Sequence, residues 1–162
     1  MKKLITGILL VVMMLSLAAC GGDTADDDSS NTGAVYHVCQ LVEHDALDAA
    51  TEGFVDALEE KLGDAVEIEV QLAQGEPNNC TTIINNFVAG NVDLIMANAT
   101  PALQAASAAT QSIPILGTSV TEYGTALEIK DFSGTVGGNV SGTSDLAPLD
   151  RQAAMIKELV PS

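Results

Sequence analysis

The sequence predicts an α/β fold: an open, mainly parallel sheet with helices on both faces. Short apolar runs alternate along the chain with longer segments in which apolar residues recur every three or four positions. Such alternation is typical of βαβ units, whose right-handed crossovers place successive strands parallel in one sheet. The predicted order is β-α-β-α-β-α-β, followed by an irregular stretch, one more strand and one more helix.

The bounds of the elements follow from these local patterns. Strands are expected at 35–40, 66–72, 92–97, 113–117 and 137–142, and helices at 46–62, 79–89, 101–110 and 149–160. The second strand alternates apolar and polar residues, as a strand with one exposed face near a sheet edge does. Asp45 is expected to cap the first helix, which Gly63 ends. Thr100 is expected to cap the third helix, with Pro101 as its first residue.

The N-terminus predicts a secretion signal and a tether. Lys2 and Lys3 precede an apolar run that closes with Leu-Ala-Ala-Cys, which resembles a bacterial lipobox. The run is shorter than the roughly 20 apolar residues of a membrane span, which disfavours an uncleaved anchor helix. We therefore expect residues 1–19 to be a signal peptide and Cys20 to be lipidated. Residues 20–33 are polar and small, and predict a flexible tether at the extracytoplasmic face of the cell membrane.

The charge of the chain excludes one class of partner. Acidic residues number 22 and basic residues six, and two of the six leave with the signal peptide. Such a negative chain is repelled by nucleic acid and by anionic lipid headgroups, so no nucleic-acid partner is expected.

Polar residues cluster where the predicted strands end. They lie at 40–44, 98–101, 118–121 and 141–145, after the first, third, fourth and fifth strands. Open α/β sheets bind ligands beyond the carboxyl ends of their strands. A crevice lined by hydroxyls, amides and helix N-termini suits a carboxylate. A purely structural role, as a helix cap or as ordinary loop residues, explains Thr100, Ser119 and Thr121 equally well at this point.

With these loops identified, the chain resembles the ABC-transporter substrate-binding lipoproteins of bacteria, in the family that includes tryptophan and other aromatic amino-acid binders. The resemblance is carried by QLVEHDALDAATEGF, VDLIMANATPALQAA, SIPILGTSVTE, GGNVSGTSDLAP and MIKELVPS. Such proteins have two similar α/β lobes of the type I periplasmic-binding-protein fold, with the ligand between them. The resemblance implies that residues 34–148 form the N-terminal lobe and that 149–162 form the first helix of a second lobe that is missing here.

The resemblance also implies a function without catalysis or cofactor. The chain would bind an amino acid or a similar small ligand and deliver it to an ABC permease, the lobes closing over the ligand by a hinge motion. The expected ligand-binding residues are Gln40, Glu43, Thr100, Ser119, Thr121 and Asp145. Thr100 and Ser119 would take the ligand carboxylate, and Gln40 and Glu43 would flank the ligand. The alternative is a single-lobe, membrane-tethered sensor or interaction module, or an inactive truncated product.

Catalysis has little support in the sequence. His44 lies between Glu43 and Asp45, which invites an acid–base interpretation. However, no nucleophile elbow or phosphate loop accompanies these residues, and neighbours along a turn point in different directions. We therefore expect no enzyme activity.

The cysteines and histidines leave two alternatives open. His37, Cys39, His44 and Cys80 lack the close repeated spacing of a structural zinc site, so no metal is expected. Cys39 ends a predicted strand and Cys80 begins a predicted helix, both at the same end of the sheet. Outside the cytoplasm they form a candidate disulfide; otherwise they are two separate buried thiols.

Overall fold

The structure, a computed structural model, describes residues 33–160. Its five strands are β1 (Ala34–Gln40), β2 (Val66–Leu72), β3 (Leu94–Asn98), β4 (Ile115–Val120) and β5 (Val140–Ser144). Its helices are α1 (Asp45–Leu62), α2 (Pro77–Ala89), α3 (Thr100–Ala109), α4 (Tyr123–Ala126) and α5 (Leu149–Leu159), with a 3-10 turn at Gly63–Ala65. The strands form one sheet in the order β2-β1-β3-β4-β5, and each neighbouring pair is parallel.

Different helices cover the two faces of this sheet. On one face, Cys39 of β1, Ile95 of β3 and Ile115 of β4 pack in an apolar cluster with residues of α2 and α3, including Phe87 and Leu103. The other face carries α1, which contacts β1, β2, β3 and β4. The predicted fold class, an open parallel sheet with helices on both faces, is confirmed.

Three helix starts differ from the prediction, and the first of them is α2, which begins at Pro77, two residues before its predicted start. His44, and not Asp45, caps α1: its Nδ1 accepts a hydrogen bond from the Ala46 amide at 3.2 Å. Thr100 is the first residue of α3 rather than its cap, because the cap position is Ala99, which has φ of 94° and offers no side-chain hydrogen bond. The reason is strand pairing: the Ala99 amide still donates to the carbonyl of Thr118 at 3.0 Å, so the chain turns only after Ala99.

The fourth and fifth strands lie further along the chain than predicted. Residues 118–120, expected as loop, belong to β4, and β5 ends at Ser144. A register shift separates Gly117 from Val120 in the pairing with β5, and Ser119 within it has φ of 54°. This is a β-bulge, which changes the direction of β4 near its carboxyl end. Pairing with β3 and β5 therefore overrides the polar composition of this segment.

Glycines at two neighbouring strand positions make room for one tyrosine. A Cβ added at Gly117 would lie 2.5 Å from the hydroxyl oxygen of Tyr123, and one added at Gly142 would lie 2.2 Å from it. The hydroxyl donates to the carbonyl of Thr143 at 3.1 Å, so α4 is held against β5. The glycines that interrupt the apolar pattern of these strands thus have a packing reason.

The last helix carries an exposed apolar stripe. Leu149, Met155, Ile156 and Leu159 of α5 are between 54% and 72% exposed. Within residues 33–160, no helix combines the length and the apolar character needed to cross a bilayer. The predicted signal peptide, Cys20, nearly all of the tether and the final two residues lie outside the described residues.

Candidate functional site

The neighbouring strands β1 and β3 end at the same level of the sheet, and β4 continues two residues beyond that level. The register pairs Gln40 of β1 with Asn98 of β3, and Asn98 with Thr118 of β4. We call these residues and the segments that follow the strands, 41–44, 99–100, 119–121 and 145, the carboxyl edge. In the sheet, β2 lies on one side of β1, whereas β3, β4 and β5 follow one another on the other side. The strand order therefore reverses between β1 and β3. Open sheets bind ligands at such a switch point.

A buried hydrogen-bond network lies directly beneath the switch point. Gln40 is 2% exposed and Asn98 is 0% exposed. The Gln40 amide nitrogen donates to the carboxylate of Asp48 at 2.5 Å, and the Thr51 hydroxyl donates to the Gln40 amide oxygen at 2.6 Å. The Asn98 amide nitrogen donates to the Thr51 hydroxyl at 2.9 Å and to the carbonyl of Leu47 at 2.8 Å. The network joins α1 to the ends of both strands.

The network changes how Gln40 contributes to the edge. Its buried amide is already hydrogen-bonded within the protein, so Gln40 holds the end of β1 against α1. Asn98 and Thr51, absent from the predicted site, do the same. Asn98 could have been recognised as a polar residue closing an apolar strand. Thr51 lies four residues after Leu47 and three before Phe54, within the apolar stripe of α1, and buried polar residues in such stripes normally have partners.

The N-terminus of α3 lies at the same switch point. The first N–H groups of a helix lack intrahelical acceptors and carry partial positive charge. Thr100, half-buried, is the first residue here, and no side chain caps the helix at Ala99. The Leu41 amide donates to the carbonyl of Asn98 at 3.2 Å, which holds the loop after β1 against this turn. Among the described residues, the Asn98 amide oxygen is buried without a hydrogen-bond partner.

The remaining predicted residues divide into two groups along the edge. Ser119 is half-buried in the β4 bulge, and Thr121 and Asp145 are exposed just beyond the ends of β4 and β5. Two hydrogen bonds fix the end of β4 to the end of β5. The Asp145 amide donates to the carbonyl of Val120 at 3.2 Å, and the Ser144 hydroxyl donates to the backbone carbonyl of Thr121 at 2.7 Å. Glu43 is exposed on the loop after β1, on the other side of Thr100.

Charge is concentrated just beyond β4. The carboxylate of Glu122 caps α4, accepting from the Thr125 hydroxyl at 2.6 Å and from the Thr125 and Gly124 amides at 2.6 and 2.7 Å. These bonds, those from Thr125 first, lower the pKa of Glu122. Burial, with the nearby negative charge of Asp145, raises the pKa of the Tyr123 hydroxyl, which therefore stays protonated as a donor.

A cleft lies beside β5 rather than at the switch point. It has a volume of about 660 Å³, and its lining includes Thr121, Tyr123, Phe132, Val140 and Leu146. A second cleft of about 360 Å³ lies on the α1 face of the sheet, between Phe54 and the exposed side of β4 and β5. Thr121 is the predicted site residue that lines the larger cleft, whereas Thr100 lies at the edge itself.

The cysteines and histidines have structural surroundings. Cys39 and Cys80 are free thiols, fully buried in the same apolar cluster, and burial raises the pKa of both. The imidazole of His37 lies 3.5 Å from the Glu69 carboxylate and packs edge-on against Phe87. In the described part of the chain, no three His, Cys, Asp or Glu side chains are grouped as metal ligands.

Comparison with known proteins identifies similar chains. A sequence profile described as "ABC transporter substrate binding protein" matches residues 36–162. The chain is 38% identical, over 99% of its length, to the "Tyrosine-binding protein" of Clostridioides difficile (strain R20291), of which it covers 48%.

Solved structures are similar as well. A conserved domain protein from Vibrio cholerae O1 biovar El Tor is 39% identical with a TM-score of 0.73, over 80% of this chain and 44% of that one. An ABC domain from Streptococcus pneumoniae in complex with L-Trp is 33% identical with a TM-score of 0.70, over 77% of this chain and 43% of that one. The chain thus spans about half the length of the relatives that it matches.

Proposed function

The chain belongs to the ABC transporter substrate-binding protein family, and we propose that it binds an amino acid and supplies it to an ABC permease. The family resemblance inferred from the sequence is confirmed, since the family profile matches from β1 to the end of the chain. Substrate-binding proteins of ABC transporters work outside the cytoplasm. Because the chain spans about half of its relatives, ligand, transport and partners are proposals for this protein.

The observation that carries the proposal is the arrangement at the switch point. An uncapped helix N-terminus and the β4 bulge lie at the ends of two adjacent strands, β3 and β4. The free N–H groups and the helix dipole stabilise a carboxylate, and an amino acid always carries one. The names of a tyrosine-binding relative and of a neighbour in complex with L-Trp support an amino acid as the ligand class.

Each predicted site residue has a role in this proposal. Thr100 and Ser119 donate their hydroxyls to the ligand carboxylate, at the helix N-terminus and in the β4 bulge. Glu43 flanks the ligand from the loop after β1, and Gln40 holds that loop in place by donating to the carbonyl of Val42 at 2.9 Å. Thr121 and Asp145 bound the opposite side of the site.

The membrane and the second lobe belong to the proposal as well. We infer that residues 1–19 are removed, that Cys20 is lipidated, and that residues 20–33 tether the lobe of residues 34–148 at the extracytoplasmic face. Residues 149–162 would begin the second lobe. The exposed apolar stripe of α5 supports this division, because a helix whose apolar side chains are more than half exposed lacks the packing that normally stabilises it.

A comparison of ligands with and without a carboxylate tests the proposal. Titrating the full chain with L-tyrosine and with tyramine, followed by NMR, measures the two affinities. We expect L-tyrosine to bind in the millimolar range, since one lobe supplies only part of the contacts, and tyramine to bind at least about tenfold more weakly. Equal affinities would contradict a carboxylate site.

A matched pair of variants locates the contact. Thr100→Val removes a hydroxyl at the proposed site, and we expect it to weaken L-tyrosine binding about fivefold, the value of one hydrogen bond. Thr82→Val makes the same change on an exposed position of α2, where the hydroxyl bonds the carbonyl of Asn78, and should leave binding unchanged. An unchanged affinity in Thr100→Val would remove this residue from the site.

A further inference from the structure

Cys39 and Cys80 belong to the same apolar cluster of the core although they are far apart in the chain. Cys39 is the penultimate residue of β1, and Cys80 lies in the first turns of α2. Both are 0% exposed and belong to the same apolar cluster, and each thiol shifts the pKa of the other, as neighbouring groups do. A strand and a helix thus bring two buried thiols into one cluster, which makes them candidates for a disulfide.

The pair has no part in the proposed ligand site. The pair lies on the side of the sheet that α2 covers, and α2 itself carries Cys80. The network of Gln40, Thr51 and Asn98 lies on the opposite side, which α1 covers. No further His, Cys, Asp or Glu in residues 33–160 joins them in a group that could hold a metal. Free thiols are uncommon in proteins that work in an oxidising compartment, where an adjacent pair is normally bonded.

We propose that Cys39 and Cys80 are a covalent modification site, an intramolecular disulfide formed by exchange with a disulfide donor outside the cytoplasm. One cysteine thiolate attacks a donor sulfur, which forms a mixed disulfide and releases the first donor thiol. The second cysteine thiolate then attacks the protein sulfur of that mixed disulfide, which forms the Cys39–Cys80 bond and releases the second donor thiol. The donor gains two electrons, and the two thiol protons pass to the released donor thiolates.

Burial determines when this bond forms. Only the thiolate attacks, and burial raises the pKa of both thiols, so the packed pair reacts poorly. A donor also cannot reach sulfurs that have no exposed surface. The bond therefore forms before α2 packs onto β1, and after packing it is shielded from reductants.

The bond would stabilise the part of the carboxyl edge around β1. Cys39 precedes Gln40, whose carbonyl accepts from the Ala73 amide at 2.8 Å. The carbonyl of Ala73 in turn accepts from the side chain of Asn79, next to Cys80, at 3.1 Å. A covalent link between residues 39 and 80 closes this ring of contacts and restrains the loop between β2 and α2. The inference is independent of the ligand, but it rests on the extracytoplasmic location given under the proposed function.

Peptide mapping after refolding tests the bond. The reduced, denatured full chain is refolded with oxidised glutathione, then denatured without reductant, alkylated and digested. We expect a cross-linked peptide containing Cys39 and Cys80, with neither cysteine alkylated. Alkylation of both cysteines, a stable glutathione adduct on either, or a bond from either to Cys20 would overturn the proposal. The Cys39→Ser variant is the control, because Cys80 must then be alkylated, carry glutathione or be bonded to Cys20.

Two further measurements test its timing and its effect. Folded, reduced protein given the same donor should form the bond more than about tenfold more slowly than refolding protein; equal rates would contradict protection by burial. Reductant applied during unfolding should lower the Tm of the oxidised protein by about 10 °C. The Cys39→Ala/Cys80→Ala double variant should show no such shift. An equal shift in that variant, or none in the oxidised protein, would refute a stabilising bond.

Discussion

Replacing Thr51 with valine tests the buried network beneath the carboxyl edge. The substitution keeps the shape of the side chain but removes the hydroxyl that donates to the Gln40 amide oxygen at 2.6 Å and accepts from the Asn98 amide at 2.9 Å. Afterwards the Gln40 oxygen keeps one long contact to Asn98, at 3.4 Å, whereas Asn98 keeps its bond to the Leu47 carbonyl at 2.8 Å. One buried acceptor is therefore left nearly unsatisfied.

The expected cost follows from that count. An unsatisfied buried polar group costs about 1–3 kcal/mol, and the extra methyl group of valine returns less than about 1 kcal/mol. We expect Thr51→Val to lower the free energy of unfolding by about 2 kcal/mol, and the Tm by about 6 °C.

Urea and thermal unfolding of the full chain measure this change. Thr82→Val is the matched control, because its hydroxyl is exposed and bonds only the Asn78 carbonyl, at 3.2 Å, among the described residues. The control should lie within about 0.5 kcal/mol of the wild type. A Thr51→Val protein as stable as the control would refute the claim that the network stabilises the edge.

Three further predictions concern backbone and charge. Gly142→Ala should lower the free energy of unfolding by about 3 kcal/mol or more, because the new Cβ would lie 2.1 Å from a β4 carbonyl oxygen. Gly53→Ala in α1, which has open space around it, should raise the free energy of unfolding by about 0.5–1 kcal/mol. Ala99→Gly should leave the free energy of unfolding unchanged or raise it by about 1 kcal/mol, since φ of 94° strains alanine. Ala108→Gly on the exposed side of α3 should lower it by about 1 kcal/mol. Equal losses in the two variants would contradict strain at Ala99. The pKa of Glu122 is lowered in the fold, so its stabilisation is full above the unfolded value near 4.5 and is lost as the pH falls through the folded value. Between about pH 6 and pH 3 the wild type should therefore lose more of its Tm than Glu122→Gln, and parallel losses would contradict the cap.

The fold was predictable because its elements have strong periodic signals. The alternation in β2 and the apolar stripe of α1 depend on local sequence, and both elements lie close to their predicted bounds. The bounds of β4 were not predictable, because Thr118 is polar and joins the strand through its pairing with Asn98 of β3. Local patterns do not contain pairing partners that are distant in sequence.

The candidate site was predictable in position but not in detail. Strand ends are readable from sequence, so the carboxyl edge contains each predicted residue. Which side chains face outward is decided by packing: Gln40 is buried because Thr51 and Asp48 of α1 offer it partners. Asn98 is visible in the sequence as a polar residue that closes an apolar strand, but its position between Gln40 and Thr118 required the register. The contact between Cys39 and Cys80 likewise depends on how α2 packs onto β1.

Mapping amide chemical shifts during titration with L-tyrosine tests the central claim most directly. The claim is that this chain binds an amino acid at the carboxyl edge of its sheet, around the N-terminus of α3. We predict saturable shifts at millimolar ligand, largest at 98–102 and 118–121 and smaller at 41–44, with α2 and β2 unaffected. Shifts confined to the cleft beside β5, shifts spread evenly over the surface, or no saturable shift at millimolar L-tyrosine would contradict it.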